Sequence, residues 1–118
     1  MDRIIRCITS DGAIMAQAID STYLVATMQQ LHHTSAVATA ALGRLLTASS
    51  MMGSLLKQSD ASITLKVNGG GPLGTLVAIS NGRGYCRGYV EHPEIDVPRK
   101  PNGKPVSYTH LDVYKRQL

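Results

Sequence analysis

Residues Gly69–Gly71 are the first place where this sequence could do chemistry, because a glycine-rich loop can bring backbone N–H groups close to a phosphate. Such a loop needs a strand before it and a helix after it, so that the helix N-terminus faces the anion. Here the stretch NGGGPLG lies between two apolar segments of strand character, and no Gly-Lys-Ser/Thr ending follows. We interpret it as a turn whose glycines provide positive φ angles and a bulge. A phosphate- or nucleotide-binding enzyme that uses this loop is the alternative.

Three other groups of side chains could bind or react. His32 and His33 could ligate a metal, but no acid or cysteine lies near them in sequence, and a helix C-terminus also favours such residues. Cys7 and Cys86 fall in predicted strands; they could be sheet neighbours, but small buried core residues are the commoner use. Arg44 could bind a partner's carboxylate, or pack its stem while its head reaches water or an internal acid. These residues form no catalytic constellation, so we predict no enzyme activity and no metal or cofactor site in this segment.

The composition predicts one globular domain or part of a larger one. The chain has 118 residues, 43% of them hydrophobic, and lacks Phe and Trp, so aliphatic side chains and Met must fill the core. The net charge of +4 comes from scattered basic residues, whereas nucleic-acid binding needs them clustered; we predict no nucleic-acid partner. Two cysteines make no disulfide framework, and no secretion signal is evident. We expect a cytoplasmic location.

The N-terminal part predicts a β-hairpin followed by a helix. Residues 3–9 and 13–19 are the two strands, and the Asp-Gly pair within 10–12 marks the turn between them. Side-chain oxygens in Asp20–Thr22 can cap the helix that follows. The predicted apolar face of this helix carries Leu24, Val25, Met28 and Leu31.

A second, longer helix is predicted over residues 36–57, with Thr34 or Ser35 as its cap. It is apolar or small around most of its circumference, which indicates burial. Its length would span a membrane, but Arg44 lies well inside it and Ser, Thr and Gly dilute its hydrophobicity, so we predict no membrane span.

Strands are predicted over residues 62–67, 75–80 and 85–90, with a hairpin turn at 81–84. In the first of these strands, alternate residues should face opposite sides of the sheet. From residue 92 the prolines indicate an extended linker. The element order predicts an α+β fold, with the hairpin and the three later strands in one mostly antiparallel sheet and the long buried helix packed on it.

The segments HHTSAVATAALGRLLTASSMMGSLLK and ITLKVNGGGPLGTLVAISNGRGYCRGYVEHPEIDVP resemble the N-terminal domain of the 33 kDa chaperonin family of redox-regulated heat-shock chaperones. The resemblance runs from Met1 to about Pro105. It rests on the TS-x-x-A-x-AALGR-x-L segment, the MMG-x-x-LK helix end and the GGGPLG turn, which occur in the family's order. Ala36 stands where the family often has Pro, which a first helical turn tolerates.

The resemblance implies a cytoplasmic holdase that binds unfolding client proteins under oxidative stress. In the family, a C-terminal module holds zinc through four cysteines, and oxidation releases the metal and exposes client-binding surface. Cys7 and Cys86 do not match the closely spaced pairs of that module, so its switch residues cannot be carried onto this chain. We therefore expect the zinc in a module that this sequence lacks. A passive dimerisation domain is a further alternative.

Residues 106–118 do not continue the family pattern. Together with the last two bases of a CCT codon for Pro105, the stretch VSYTHLDVYKRQ can be encoded by DNA that is its own reverse complement, like two joined ends of a transposase sequencing adapter. We predict a native segment over 1–105 and an adapter-derived, non-native tail over 106–118. The long helix should then leave a contiguous apolar patch exposed, so we expect self-association, including homodimers formed by strand exchange.

Overall fold

The computed structural model describes residues 1–96, and the predicted tail lies outside them. The order of elements in this part of the chain confirms the predicted order, hairpin, two helices and three strands. The elements are β1 (Arg3–Ile8), β2 (Met15–Asp20), α1 (Thr22–His32), α2 (Ala36–Gly53), β3 (Ser62–Asn68), β4 (Thr75–Asn81) and β5 (Cys86–Val90).

The strands form two antiparallel sheets, so the α+β prediction is confirmed and the prediction of a single sheet is wrong. β1 pairs only with β2 in the described part of the chain, and β3, β4 and β5 form a separate sheet in that order. The hairpin docks through side chains instead of strand pairing. Gln17 of β2 donates to Ser54 Oγ (3.1 Å) and to the carbonyl of Met51 (3.5 Å), both at the end of α2.

The core lies between α2 and the three-stranded sheet, as predicted for the long helix. On the sheet side, β3 alternates as expected, with Val67 buried and Lys66 exposed. Burial of each leucine side chain contributes about 1.5–3 kcal/mol, so this interface dominates the stability of the fold. The side chains at its centre are at most 1% exposed and include Val37, Leu42, Leu45, Leu46, Leu76 and Ala78.

Helix α2 begins as the sequence indicates but ends earlier. Ser35 is the N-cap, and its Oγ accepts from the N–H of Ala38 at 3.1 Å. The helix ends at Gly53 instead of residue 57, because Gly53 lies directly against the backbone and side chain of β4 at Ser80 and Asn81. Within residues 1–96, no helix is long and apolar enough to cross a membrane.

Helix α1 receives its N-terminal cap from two aspartates. Of the predicted capping residues Asp20–Thr22, Asp20 accepts from the N–H and hydroxyl of Thr22, whereas Ser21 at the N-cap position makes no side-chain cap bond. The remote Asp2 adds a cap that the sequence did not indicate, because its two oxygens accept from the N–H groups of Tyr23 (2.9 Å) and Leu24 (2.8 Å). These bonds hold the start of the hairpin against the start of α1.

The predicted apolar face of α1 is only partly buried. Met28 is 4% exposed, and Leu24 and Val25 are half-buried against the core. Leu31 is 71% exposed, so its predicted burial is wrong. It lines a groove of about 100 Å³ between α1 and β5.

Candidate functional site

The glycine run Gly69–Gly71 forms a turn between β3 and β4, which confirms the turn interpretation. A strand follows it, not a helix. Gly70 and Gly74 have φ angles of 77° and 75°, where other residues would be strained. The Oδ1 of Asn68 accepts from the N–H of Gly70 at 2.9 Å, as in an Asx turn.

Three N–H groups in and beside this turn already have protein acceptors, the first being that of Gly70. Gly74 donates to the carbonyl of Gly71 at 3.2 Å, and Thr75 donates to Oε1 of Glu91 at 3.0 Å. The Glu91 carboxylate lies so close to Gly74 that it contacts the position a Cβ would take. A carboxylate beside the loop would repel a phosphate, so the geometry gives the nucleotide-binding alternative no support.

His32 and His33 lie at the C-terminal end of α1, where the sequence placed them. His32 is in the last turn, and His33 follows it with a left-handed φ of 51°. Residues 1–96 hold no group of three or more His, Cys, Asp or Glu side chains that could bind a metal ion. The described residues therefore do not fit the zinc that the family resemblance implies.

The two cysteines lie in different sheets, so they are not sheet neighbours. Cys7 is exposed on β1, which makes the prediction of a buried residue wrong there. Cys86 of β5 is half-buried beneath α2, and its thiol donates to the carbonyl of Leu46 at 3.6 Å. Burial raises the pKa of the Cys86 thiol, and a hydrogen bond with Ser49 opposes this rise. The thiolate needed for metal or disulfide chemistry is therefore disfavoured at this position.

Arg44 is exposed on α2, so its side chain reaches water. It lines a shallow apolar groove with Val25, Thr47 and Met51. The ion pairs within residues 1–96 join His92 to acidic neighbours; an internal acid for Arg44 is not among them. Binding of a partner's carboxylate by Arg44 stays a prediction.

The exposed apolar surface lies on the hairpin, where the sequence analysis did not place it. We expected it on the long helix, but the apolar residues of α2 are mostly buried between the sheet and α1. On the hairpin, Ile5 pairs with Ala18 and Cys7 pairs with Ala16, and all four are exposed on one face. The sequence did contain a pattern that indicates this exposed surface, because β1 carries apolar residues on both of its faces.

The opposite face of the hairpin is covered only near its base. Ile4 and Ile19 form a cross-strand pair and are half-buried. Towards the turn, the pair of Ile8 and Met15 is 66% and 47% exposed, and Ile14 beside it is 65% exposed. The hairpin thus presents aliphatic side chains to solvent on both faces. We call the exposed set Ile5, Ile8, Ile14, Met15 and Ala18 the hairpin surface.

Three comparisons with known proteins agree on one family. The family model described as Hsp33 protein matches residues 2–116. The match extends past residue 105, and the predicted start of a non-native tail there stays a prediction. A 33 kDa chaperonin of Clostridioides difficile is 41% identical over 103 residues, which is 87% of this chain and 35% of the relative. A 33 kDa chaperonin of a Geobacillus species is 41% identical over 114 residues, 97% of this chain and 36% of the relative.

A solved structure has the same fold. The crystal structure of a 33 kDa chaperonin (heat shock protein 33 homolog) from Thermotoga maritima matches with a TM-score of 0.77 and 28% identity over 86% of this chain and 34% of that chain. The chain thus spans about a third of the length of the relatives that it matches. Since the family model covers nearly all of it, the chain belongs to the Hsp33 family.

Proposed function

We propose that this chain is the N-terminal part of a molecular chaperone that holds unfolding client proteins. The family membership carries the proposal, because the relatives are named as chaperonins. The hairpin surface supports it, since exposed aliphatic side chains on both faces of the hairpin can serve as an interaction site or form an aggregation liability. We propose no catalytic role, and a cytoplasmic location.

Binding of clients would use the hydrophobic effect. An unfolded chain exposes apolar side chains, and their contact with Ile5 and Ile8 would remove apolar area from water at about 25 cal/mol per Å². Such contacts are non-directional, which suits clients of varied sequence. The same surface can pair with a second copy of the chain, so we also propose self-association.

We further propose that the activity of the whole protein is controlled by oxidation and reduction. Such control would require a cysteine-rich zinc module, and residues 1–96 contain only the separated Cys7 and Cys86. Oxidation of this chain should therefore leave its client binding unchanged, and metal analysis should detect no stoichiometric zinc.

The test is suppression of light scattering from a heat-unfolded reporter protein by the 118-residue chain. Ile5→Gln should weaken the suppression because it removes exposed apolar area from the hairpin surface. Leu31→Gln is the matched control, since it makes the same kind of change at a side chain that is 71% exposed at the end of α1. Equal loss in both variants would show general stickiness, and no suppression by the unaltered chain would refute a holdase function for this segment. Sedimentation at several concentrations measures self-association.

A further inference from the structure

A cleft of about 640 Å³ lies between the hairpin, the start of α1, the end of α2 and the turn between β4 and β5. Its lining combines positively charged and aliphatic side chains. Arg3 and Arg6 of β1 and Arg83 of the β4–β5 turn are exposed at its rim. Aliphatic side chains of the same lining are partly buried, namely Ile4, Ile19 and Leu24.

Among residues 1–96, the guanidinium groups of this cleft form no ion pair with a carboxylate, although Arg3 lies across the hairpin from Asp20. The ion pairs formed among residues 1–96 involve His92 and its neighbours Glu91 and Glu94, and none of the three arginines. An arginine that faces a cleft with its donors unpaired can take a carboxylate through two parallel N–H···O bonds.

Two carboxylates also line the cleft, but both are already engaged. Asp2 accepts from the first N–H groups of α1 at 2.8–2.9 Å. Asp20 accepts from Thr22, whose hydroxyl and N–H lower the pKa of this carboxyl, and the charge of Arg3 contributes to the lowering. The cleft therefore holds more positive than negative charge, and the acids that it contains are bound to donors.

We propose that this cleft binds an extended peptide segment that carries carboxylate and branched aliphatic side chains on one face. The carboxylates would meet Arg6 and Arg83, and an aliphatic side chain would pack against Ile4 and Ile19. Nucleic acid fits less well, because half-buried Ile4, Ile19 and Leu24 line the cleft and its lining offers one aromatic ring, Tyr85, to stack on a base. This proposal stands independently of holdase function, because it rests on charge recognition by the folded domain.

The test is fluorescence anisotropy of a labelled peptide of repeating Glu-Ser-Leu-Ser, which in an extended form places Glu and Leu on one face, titrated with the 118-residue chain. Arg83→Gln should weaken binding by about tenfold or more, as expected when a hydrogen bond to a charged group is lost. Arg83→Lys should lose less, because it keeps the charge without the planar fork. Lys66→Gln is the matched control: it removes the same charge from an exposed site on β3 outside the cleft, and it should leave the affinity within about twofold of the unaltered chain.

Three results would overturn the proposal. Equal weakening by Lys66→Gln would mean that only net charge matters. Equal affinity for the same peptide with Gln in place of Glu would mean that the arginines contribute nothing. Displacement of the peptide by single-stranded RNA at lower concentration, lost in Arg83→Gln, would assign the cleft to nucleic acid. Retained peptide binding in a chain that fails to suppress aggregation would refute the holdase function alone.

Discussion

Gly53→Ala places two physical effects in opposition, and the structure decides which is larger. Gly53 is the last residue of α2. Helix propensity alone favours alanine over glycine by at most about 1 kcal/mol. Propensity therefore predicts a small gain in stability from this substitution.

Packing predicts the opposite. A Cβ on Gly53 would lie 2.8 Å from the Cβ of Ser80 and even closer to Ser80 Oγ and the carbonyl oxygen of Asn81. The optimal separation of carbon atoms is about 3.5–4.0 Å, so the overlap is roughly 0.7 Å or more. Ser80 is 1% exposed, and the Asn81 carbonyl is backbone, so neither can move without shifting α2 from the sheet.

Such overpacking costs about 1–3 kcal/mol or more, which exceeds the gain from propensity. We expect Gly53→Ala to lower the free energy of unfolding by about 1–3 kcal/mol, and the melting temperature by about 4–8 °C per kcal/mol. Urea unfolding followed by far-ultraviolet circular dichroism measures the change, with an unchanged slope showing that the same surface is exposed.

Gly43→Ala in the same helix is the control. Its Cβ would meet only the side chain of Val25, at 3.0 and 3.3 Å from the two methyl carbons. A half-buried side chain on a neighbouring helix can shift by a few tenths of an ångström, so we expect a change within about 1 kcal/mol of zero. The reasoning fails if Gly53→Ala is as stable as the unaltered chain, or costs no more than Gly43→Ala.

Four further predictions follow from the same contacts. Asp2→Ala should destabilise the fold by about 1–2 kcal/mol through loss of the remote α1 cap, and Asp2→Asn by less, as urea unfolding would show; equal stability would mean that water replaces the cap. Leu42→Ala should cost about 2–5 kcal/mol, because the side chain is fully buried; a smaller loss in the same assay would mean that the core collapses around the cavity. Iodoacetamide at mildly alkaline pH should label the exposed Cys7 well before Cys86, and equal labelling rates would contradict the burial of Cys86. The free energy of unfolding should fall as the pH rises above the ordinary thiol pKa of 9.0, because the thiol of Cys86 then loses its proton in the unfolded chain but keeps it in the folded one. Deletion of residues 106–118 should leave the melting temperature unchanged, and a large fall would show that this tail complements the fold.

The parts of the fold that depend on residue periodicity, turn glycines and helix caps could be predicted from the sequence. The alternation in β3, the glycines between β3 and β4 and the cap residue Ser35 each act through neighbours along the chain, so local rules located them. Belonging to the Hsp33 family was also predictable, because it rests on residue order and not on geometry.

Contacts between distant segments could not be predicted in this way. The end of α2 at Gly53 depends on the approach of β4, and the cap from Asp2 joins residues far apart in sequence. The exposure of Leu31 depends on where α1 lies relative to the other elements. The hairpin forms a sheet of its own and contacts the end of α2 through Gln17. No local pattern encodes these contacts, because each one requires the tertiary arrangement that it helps to stabilise.

The two surfaces proposed for binding share strand β1, but one is apolar and the other is charged. Salt should therefore affect binding at the two surfaces in opposite directions. Ile5 belongs to the exposed hairpin surface, whereas Arg6 lines the cleft. Ammonium sulfate strengthens apolar association because sulfate is excluded from protein surfaces, and its ions screen exposed charges within a few ångströms at high concentration. Client holding through Ile5 should therefore tighten with this salt, while binding of an acidic peptide through Arg6 should weaken. Opposite responses in one protein would assign the two activities to two surfaces, and parallel responses would mean that a single surface serves both.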